Sequence, residues 1–149
     1  MENFFNDSNF NESSEMSSMT VDWGKVEDFI VGTFVRTRRG IKTQFGTNSI
    51  YEIEAEKGSF HKLTKKVPAK TPTDINKGDL YGVWGRGDIF DGQMNSLKPG
   101  QIVKLMYVED KPSTMGNDAK IIKIYAPRGN DGKALMNEVW LESQPLGDL

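Results

Sequence analysis

The chain has 149 residues, no cysteine and one histidine, and its 19 basic and 21 acidic side chains give a net charge of −2. The absence of cysteine excludes disulfide bonds, thiolate nucleophiles and cysteine-based zinc sites. With His61 as the only histidine, a histidine triad or a zinc centre would need an uncommon ligand set.

The N-terminal stretch, residues 1–20, is rich in Asn, Ser and Glu and carries four acidic and no basic side chains. It has no sustained hydrophobic period, so it can bury too little apolar surface to offset the entropy of ordering. We therefore expect 1–20 to be a disordered acidic arm. Its three phenylalanines leave a docking role open.

The first two predicted strands form a long hairpin. Apolar and β-branched residues alternate with other residues over 27–38, and this period of two favours a strand. Arg39-Gly40 interrupts the pattern, and a second alternating stretch follows over 44–56. The turn residues at 56–59 end the second strand.

A basic stretch separates this hairpin from the next strand. Residues 60–78 contain two prolines and several threonines, and we interpret them as a loop. The third strand is predicted over 79–85. We call residues 60–78 the Lys loop, after Lys62, Lys65, Lys66 and Lys70.

The remaining elements are one helix and two strands. Residues 88–97 predict a short helix, capped by Asp88 and ended by Lys98-Pro99-Gly100. The fourth strand is predicted over 101–109 and the fifth over 120–126, with a turn-rich link between them. The prediction is thus an all-β domain of five strands with a helix between the third and the fourth.

This order of elements is that of the oligonucleotide/oligosaccharide-binding fold, or OB-fold, a five-stranded Greek-key barrel. Over roughly 25–126 the chain resembles the phage single-stranded DNA-binding proteins built on that fold. The resemblance implies a barrel that binds single-stranded DNA and is not an enzyme. The stretches that carry it are FVRTRR at 34–39, YGVWG at 81–85 and LKPGQIVKLMY at 97–107.

The charge differs between the three predicted parts of the chain. The OB-fold domain, 21–126, carries +4, whereas the N-terminal arm carries −4 and the C-terminal segment, 127–149, carries −2. The acidic tails of bacterial members of this class end in a compact apolar tip, and this chain lacks such a run. Residues 133–142 instead predict a short amphipathic helix. Its Leu135, Val139 and Trp140 are expected to pack onto the barrel or onto another chain.

Two kinds of side chain predict a nucleic-acid interface. Arginines and lysines at the first hairpin and in the Lys loop neutralise phosphates, and exposed aromatic rings stack on bases. Each ring also suits a barrel core, but we favour Trp84 and Phe34 as exposed platforms, with Phe34 on the same side of its strand as Arg36. The predicted nucleic-acid-binding residues are Phe34, Arg36, Arg38, Arg39, Lys42, Tyr51, Lys62, Lys65, Lys66, Trp84, Arg86, Lys104 and Tyr107.

Other functions are weighed against this one. Asp88 and Asp91 would suit a magnesium-dependent nuclease, although capping and turns explain such aspartates more simply. The main alternative is a structural or interaction module that assembles with itself or other proteins without binding nucleic acid. No metal or cofactor is predicted.

The sequence also suggests partners and a compartment. We expect single-stranded DNA, or RNA, as the ligand, and leave a homo-oligomer and contacts of the termini with replication or recombination proteins open. No apolar run approaches the roughly 18 residues that cross a bilayer, and no secretory signal is recognised. The expected location is the cytoplasm, that of the host if the protein is viral.

Overall fold

The computed structural model describes residues 19–44, 46–111 and 119–144. The predicted arm over 1–18 and the link at 112–118 lie outside these residues. The elements within them are β1 (Met19–Thr20), β2 (Phe29–Thr43), β3 (Gly46–Phe60), β4 (Leu63–Thr64), β5 (Val67–Pro68), β6 (Thr73–Asp74), β7 (Leu80–Trp84), α1 (Asp88–Asn95), β8 (Ile102–Lys111), β9 (Ala119–Tyr125) and α2 (Glu138–Glu142).

One large sheet contains most of the strands. Its order is β1-β7-β3-β2-β8-β9, with β6 paired to β3 beside this path. The pair β1–β7 is parallel and its other pairs are antiparallel, so the sheet is mixed. The prediction of an all-β protein is confirmed. A closed barrel is not observed, because within the described ranges the sheet path ends at β1 and β9 without joining them.

The residues just before β2 lie between β7 and β9, where a barrel would close. The backbone N–H of Val21 donates to the carbonyl of Gly82 at 3.0 Å, and the ammonium of Lys120 in β9 donates to the carbonyl of Trp23. The side chains of Val21 and Trp23 are buried. Residues 19 and 20, expected to be disordered, are thus part of the sheet, and α1 packs against β9 at the same opening.

The core lies on the inner side of β2, β3, β7 and β8. Facing residues in neighbouring strands pair there, as Ile53 does with both Phe34 and Tyr81. The Tyr51 and Phe90 rings meet edge to face at 6.0 Å, which attaches α1 to β3. The side chains with almost no exposed surface include Ile30, Tyr51, Ile53, Val83, Met94, Val103 and Leu105.

Irregularities in the β2–β3 register bend the two strands and change which side chains face the core. One shift lies between Val31 and Gly32 and another between Phe34 and Arg36. An extra residue in one strand reverses the alternation of side chains beyond it. Because Phe34 pairs with Ile53 while Arg36 pairs with Glu52, Phe34 and Arg36 lie on opposite faces of the sheet. The expectation that they share a side was wrong.

The predicted basic loop contains a small hairpin of its own. Strands β4 and β5 pair antiparallel, and Lys65 and Lys66 form the two-residue turn between them. Their φ angles are +50° and +69°, as a two-residue hairpin turn with both central residues in the left-handed region requires. The Lys65 and Lys66 side chains are therefore exposed at the end of an ordered hairpin, which together with Lys62 we call the Lys hairpin.

Helix α1 begins where the sequence predicted but without the predicted cap. Asp88 is its first residue, the N-cap position is occupied by Gly87, and no side chain caps the helix. Its buried residues are Phe90 and Met94, which face the sheet. In the part of the chain that the structure describes, no helix is long and apolar enough to cross a membrane.

The C-terminal segment docks onto the outer side of the sheet. The Asn137 side chain donates to the Thr33 hydroxyl at 2.7 Å, and the backbone N–H of Ile102 donates to the carbonyl of Leu135 at 2.9 Å. Packing onto the sheet is thus confirmed, but the helix is shorter than predicted, spanning Glu138–Glu142. Val139 is 78% exposed and Leu135 40% exposed, so these two side chains do not pack as expected.

Candidate functional site

The outer side of β2, β3 and β7 carries two rows of side chains that run across the strands. Register places Arg38 opposite Ile50, and Ile50 opposite Trp84. In the next row, Glu52 lies between Arg36 and Gly82. We call this surface the arginine face, defined by Arg36, Arg38, Ile50, Glu52, Gly82 and Trp84.

A buried carboxylate holds the two arginines of this face. Glu52 has no exposed surface, and its Oε1 atom accepts from the Nε atoms of both Arg36 and Arg38, the latter at 3.2 Å. A buried carboxylate is tolerated only when it is paired, so the arginines are needed for the fold as well as for any ligand. Because Nε is used in this way, each guanidinium is fixed in orientation on the outer surface.

The basic character of the arginine face continues to the end of the β2–β3 hairpin. Arg39 and Lys42 are exposed, and Lys42 pairs with Thr47 across the hairpin. The sequence from 29 to 51 contains no Asp or Glu. The distal half of the hairpin is therefore a cationic extension of the arginine face.

Trp84 is the aromatic side chain that the structure places on this face. It is partly exposed at the end of β7, and the exposed Arg86 follows two residues later. Ile50, its cross-strand neighbour in β3, is buried. The preference for Trp84 as an accessible ring agrees with this position.

The other three predicted rings lie in the core instead. Phe34 and Tyr107 are each 3% exposed and Tyr51 is fully buried, so none of them presents a ring to a base in this conformation. For Phe34 this corrects the sequence interpretation, and the cause is the bulge that separates it from Arg36. Tyr51 and Tyr107 follow the alternation of inward-facing residues.

Both tyrosines bond to aspartates at the edge of the core. The Tyr51 hydroxyl donates to Asp91 at 2.8 Å, and the Tyr107 hydroxyl donates to Asp110. Burial, followed by the bond to Asp91, raises the pKa of Tyr51 well above its ordinary value. Burial and the bond to Asp110 raise the pKa of Tyr107 to about 12. These hydroxyls stay protonated at neutral pH and have structural partners.

The aspartates considered for a magnesium site are accounted for in the same way. Asp91 accepts from the Tyr51 hydroxyl and from the backbone N–H of Arg86. Asp88 is an exposed residue of the first turn of α1. Across residues 19–44, 46–111 and 119–144, no three His, Asp or Glu side chains are grouped as metal ligands.

The single histidine also has a structural partner. The His61 ring lies 2.8 Å from Asp28 through Nδ1, and Asp28 is 3% exposed. The other oxygen of Asp28 accepts from the backbone N–H groups of Gly24, Lys25 and His61, each at 2.9 Å. This network joins the start of β2 to the end of β3. An alternating sequence pattern carries no signal for it.

The Lys hairpin is not next to the arginine face. Lys62, Lys65 and Lys66 follow Phe60, whereas Arg36 pairs with Glu52. Residues 52 and 60 are separated by roughly 26 Å along β3, at about 3.3 Å per residue. The two basic clusters that the sequence placed around one groove therefore lie toward opposite ends of one strand.

Lys104 belongs to a third region, on the outer side of β8. Its ammonium lies 5.5 Å from the ring centroid of Phe29 and 5.8 Å from that of Tyr125. The sequence analysis missed both rings, although an aromatic residue at each end of an alternating stretch is a signal that could have found them.

No family model, no curated protein and no solved structure matches this chain.

Proposed function

We propose that this chain binds single-stranded DNA without sequence preference, and that it coats or protects the strand during replication or recombination. The observation that carries the proposal is the row Arg38–Ile50–Trp84 across three strands. It places a cationic fork and a partly exposed indole on the same side of the sheet. Single-stranded DNA offers both a phosphate and an unstacked base to such a pair.

The energetic argument has two parts. Arginine favours the geometry of phosphate, and displacing condensed counterions gives affinity that falls with salt and ignores sequence. A base stacked on an exposed ring contributes about 1 to 3 kcal/mol. Because Glu52 already orients both arginines, little side-chain freedom is lost when a phosphate binds.

We further propose that the domain is a partly open OB-fold. The five long strands follow the order β7-β3-β2-β8-β9, and α1 lies between β7 and β8 in the chain. In that fold the face of the second and third strands and the loop between the first two bind oligonucleotides. Here these parts correspond to β3, β7 and the tip of the β2–β3 hairpin, which together contain the arginine face and its cationic extension.

Titration of fluorescent oligo-dT at two ionic strengths tests the function. We expect affinity to fall with salt and the intrinsic tryptophan fluorescence to fall as bases stack. A protein that self-associates in light scattering without binding the oligonucleotide would instead be an interaction module. Oligo-U in a parallel titration reports the preference between DNA and RNA.

A pair of matched variants locates the binding surface. Arg39→Ala combined with Lys42→Ala removes two exposed charges from the hairpin tip and leaves the Glu52 pairs intact. Loss of two phosphate contacts on a single strand is expected to reduce the salt slope by about 1.4. The control, Lys77→Ala with Lys111→Ala, removes the same charge elsewhere. Equal slopes in both variants would exclude the hairpin as a contact.

A further inference from the structure

A second set of cross-strand rows lies on the outer side of β3, β2, β8 and β9. Register aligns Val31 with Lys57 on one side and Lys104 on the other, and Lys104 with Tyr125. The adjacent row runs from Ser59 through Phe29 and Met106 to Lys123. We call this surface the lysine face, defined by Lys57, Lys104, Lys123, Phe29 and Tyr125.

The composition of these rows differs from that of the rest of the sheet. They contain three lysines and two aromatic rings, and the second row ends at the exposed Asp74, which pairs with Ser59 at the β6 edge. The surface beside it, which includes Glu54 and Glu56, is acidic. Three lysines outnumber the single carboxylate of these rows, and such a positive patch attracts polyanions through counterion release.

The centre of the lysine face is preorganised. Lys104 is partly buried, with its ammonium 5.5 Å from the Phe29 ring and 5.8 Å from the Tyr125 ring. The two rings restrict this ammonium to one region of the surface. The Tyr125 ring is 41% exposed, and Lys57 and Lys123 are exposed on either side. An accessible ring among three ammonium groups has the elements of a stacking site.

The lysine face is separate from the arginine face. Along β2, Val31 and Arg38 lie roughly 23 Å apart at about 3.3 Å per residue. The docked C-terminal segment lies between them, since Asn137 bonds to Thr33. The two faces therefore cannot act as one continuous contact in this conformation.

We propose that the lysine face is a second binding surface for single-stranded nucleic acid. The inference rests on the proposed function for its ligand and extends it, because one copy of the chain then contacts two stretches of single strand. Phosphates contact Lys57, Lys104 and Lys123, and a base stacks on Tyr125. The two stretches belong either to one strand that passes around the C-terminal segment or to two different strands.

The test compares binding stoichiometry in the full-length chain and its variants. Native mass spectrometry with oligo-dT of about 8 nucleotides, within the range that one such fold occupies, is expected to show two oligonucleotides per protein. The lysine-face variant combines Lys57→Glu, Lys123→Glu and Tyr125→Ala. It is expected to bind one oligonucleotide per protein. The control, Lys77→Glu with Lys111→Glu, changes two exposed lysines outside both faces. It is expected to bind two oligonucleotides, as the unchanged protein does. Thermal unfolding confirms that each variant is folded.

A longer oligonucleotide shows whether the two faces bind one continuous strand or two different strands. With oligo-dT of about 30 nucleotides, a one-to-one complex whose affinity falls about tenfold in the lysine-face variant indicates one continuous strand. Two long strands bound per protein indicate that the chain brings separate strands together. Either result supports the second surface.

The outcomes that overturn this inference differ from those that overturn the proposed function. If the lysine-face variant keeps its stoichiometry and salt slope while Arg39→Ala with Lys42→Ala loses affinity, the second surface is wrong and the function stands. Loss of binding only in the lysine-face variant keeps this surface and removes the arginine face. If the wild-type chain binds no oligonucleotide but binds labelled poly-glutamate, both proposals fail in favour of an acidic protein partner.

Discussion

The two sides of β2, β3 and β7 are built from the same strands but have opposite roles. The inner side presents Phe34, Tyr51 and Ile53, all buried, whereas the outer side presents two arginines and Trp84 around a buried glutamate. A single extra residue at Val35 decides on which side the neighbours Phe34 and Arg36 lie. In a sequence stretch rich in aromatic residues and arginines, the strand register decides which side chains enter the core and which lie on the surface.

The largest expected effect comes from the inner side. Phe34→Ala removes a buried ring, and we expect it to lower the free energy of unfolding by about 3 to 5 kcal/mol. The salt slope of oligonucleotide binding should not change, because no charge is lost. Urea denaturation and the oligo-dT titration provide the two measurements.

Trp84→Ala is the matched change on the outer side. We expect it to lower stability less than Phe34→Ala does and to weaken oligonucleotide binding about tenfold or more, since a stacking ring is lost. If Phe34→Ala weakened binding in the folded protein and Trp84→Ala did not, the assignment of the two sides would be reversed.

The next effect concerns the buried carboxylate. Arg36→Ala with Arg38→Ala leaves Glu52 without the two partners described above, and we expect a loss of about 3 kcal/mol of stability. Adding Glu52→Gln should recover a large part of this loss, because the amide is neutral. Urea denaturation of the double and triple variants measures the difference. If the triple variant is no more stable than the double one, the charge of Glu52 does not explain the loss.

The last effect is a pH dependence of the inner side. Burial is the main cause that raises the pKa of Tyr107 to about 12 and that of Tyr51 further. Each hydroxyl therefore stays protonated in the folded protein at a pH at which the same tyrosine in the unfolded chain, with its ordinary pKa of 10.0, is ionised. Their contribution to stability is therefore complete below pH 10.0 and is lost as the pH rises toward about 12.

Urea denaturation over this range, repeated with Tyr51→Phe and Tyr107→Phe combined, measures that contribution. The double variant should lose less stability at alkaline pH than the parent. Burial lowers the pKa of Lys120, which therefore acts in the opposite direction, but this group is present in both proteins and cancels in the comparison. If stability falls equally with pH in parent and variant, the fold does not raise the pKa of the two hydroxyls.

The sequence predicted the element types well because alternation and turn residues are local signals. The helix at Asp88 and the long strands at Phe29, Gly46, Leu80, Ile102 and Ala119 lie where period and breakers placed them, with shifted ends. The open sheet was not predictable, because β1 occupies the edge of β7 through two residues that show no periodicity.

The candidate site was predictable only in part. Arginine clustering and the position of Trp84 are visible in the sequence, but the side on which a residue lies depends on bulges, which leave no clear local signal. The pairing of Arg36 and Arg38 with Glu52 joins residues far apart in the chain. The separation of the Lys hairpin from the arginines follows from strand length, which the sequence underestimated for β3.

The turn at Lys65 and Lys66 has a consequence for engineering. Both residues adopt positive φ angles, which cost most residues with a Cβ atom, including lysine but not asparagine, about 1 kcal/mol or more. Replacement by Asn-Gly, the preferred pair for such a turn, would relax the backbone and delete two ammonium groups in one step. This replacement makes the net charge more negative by two and is expected to make the protein more resistant to heat.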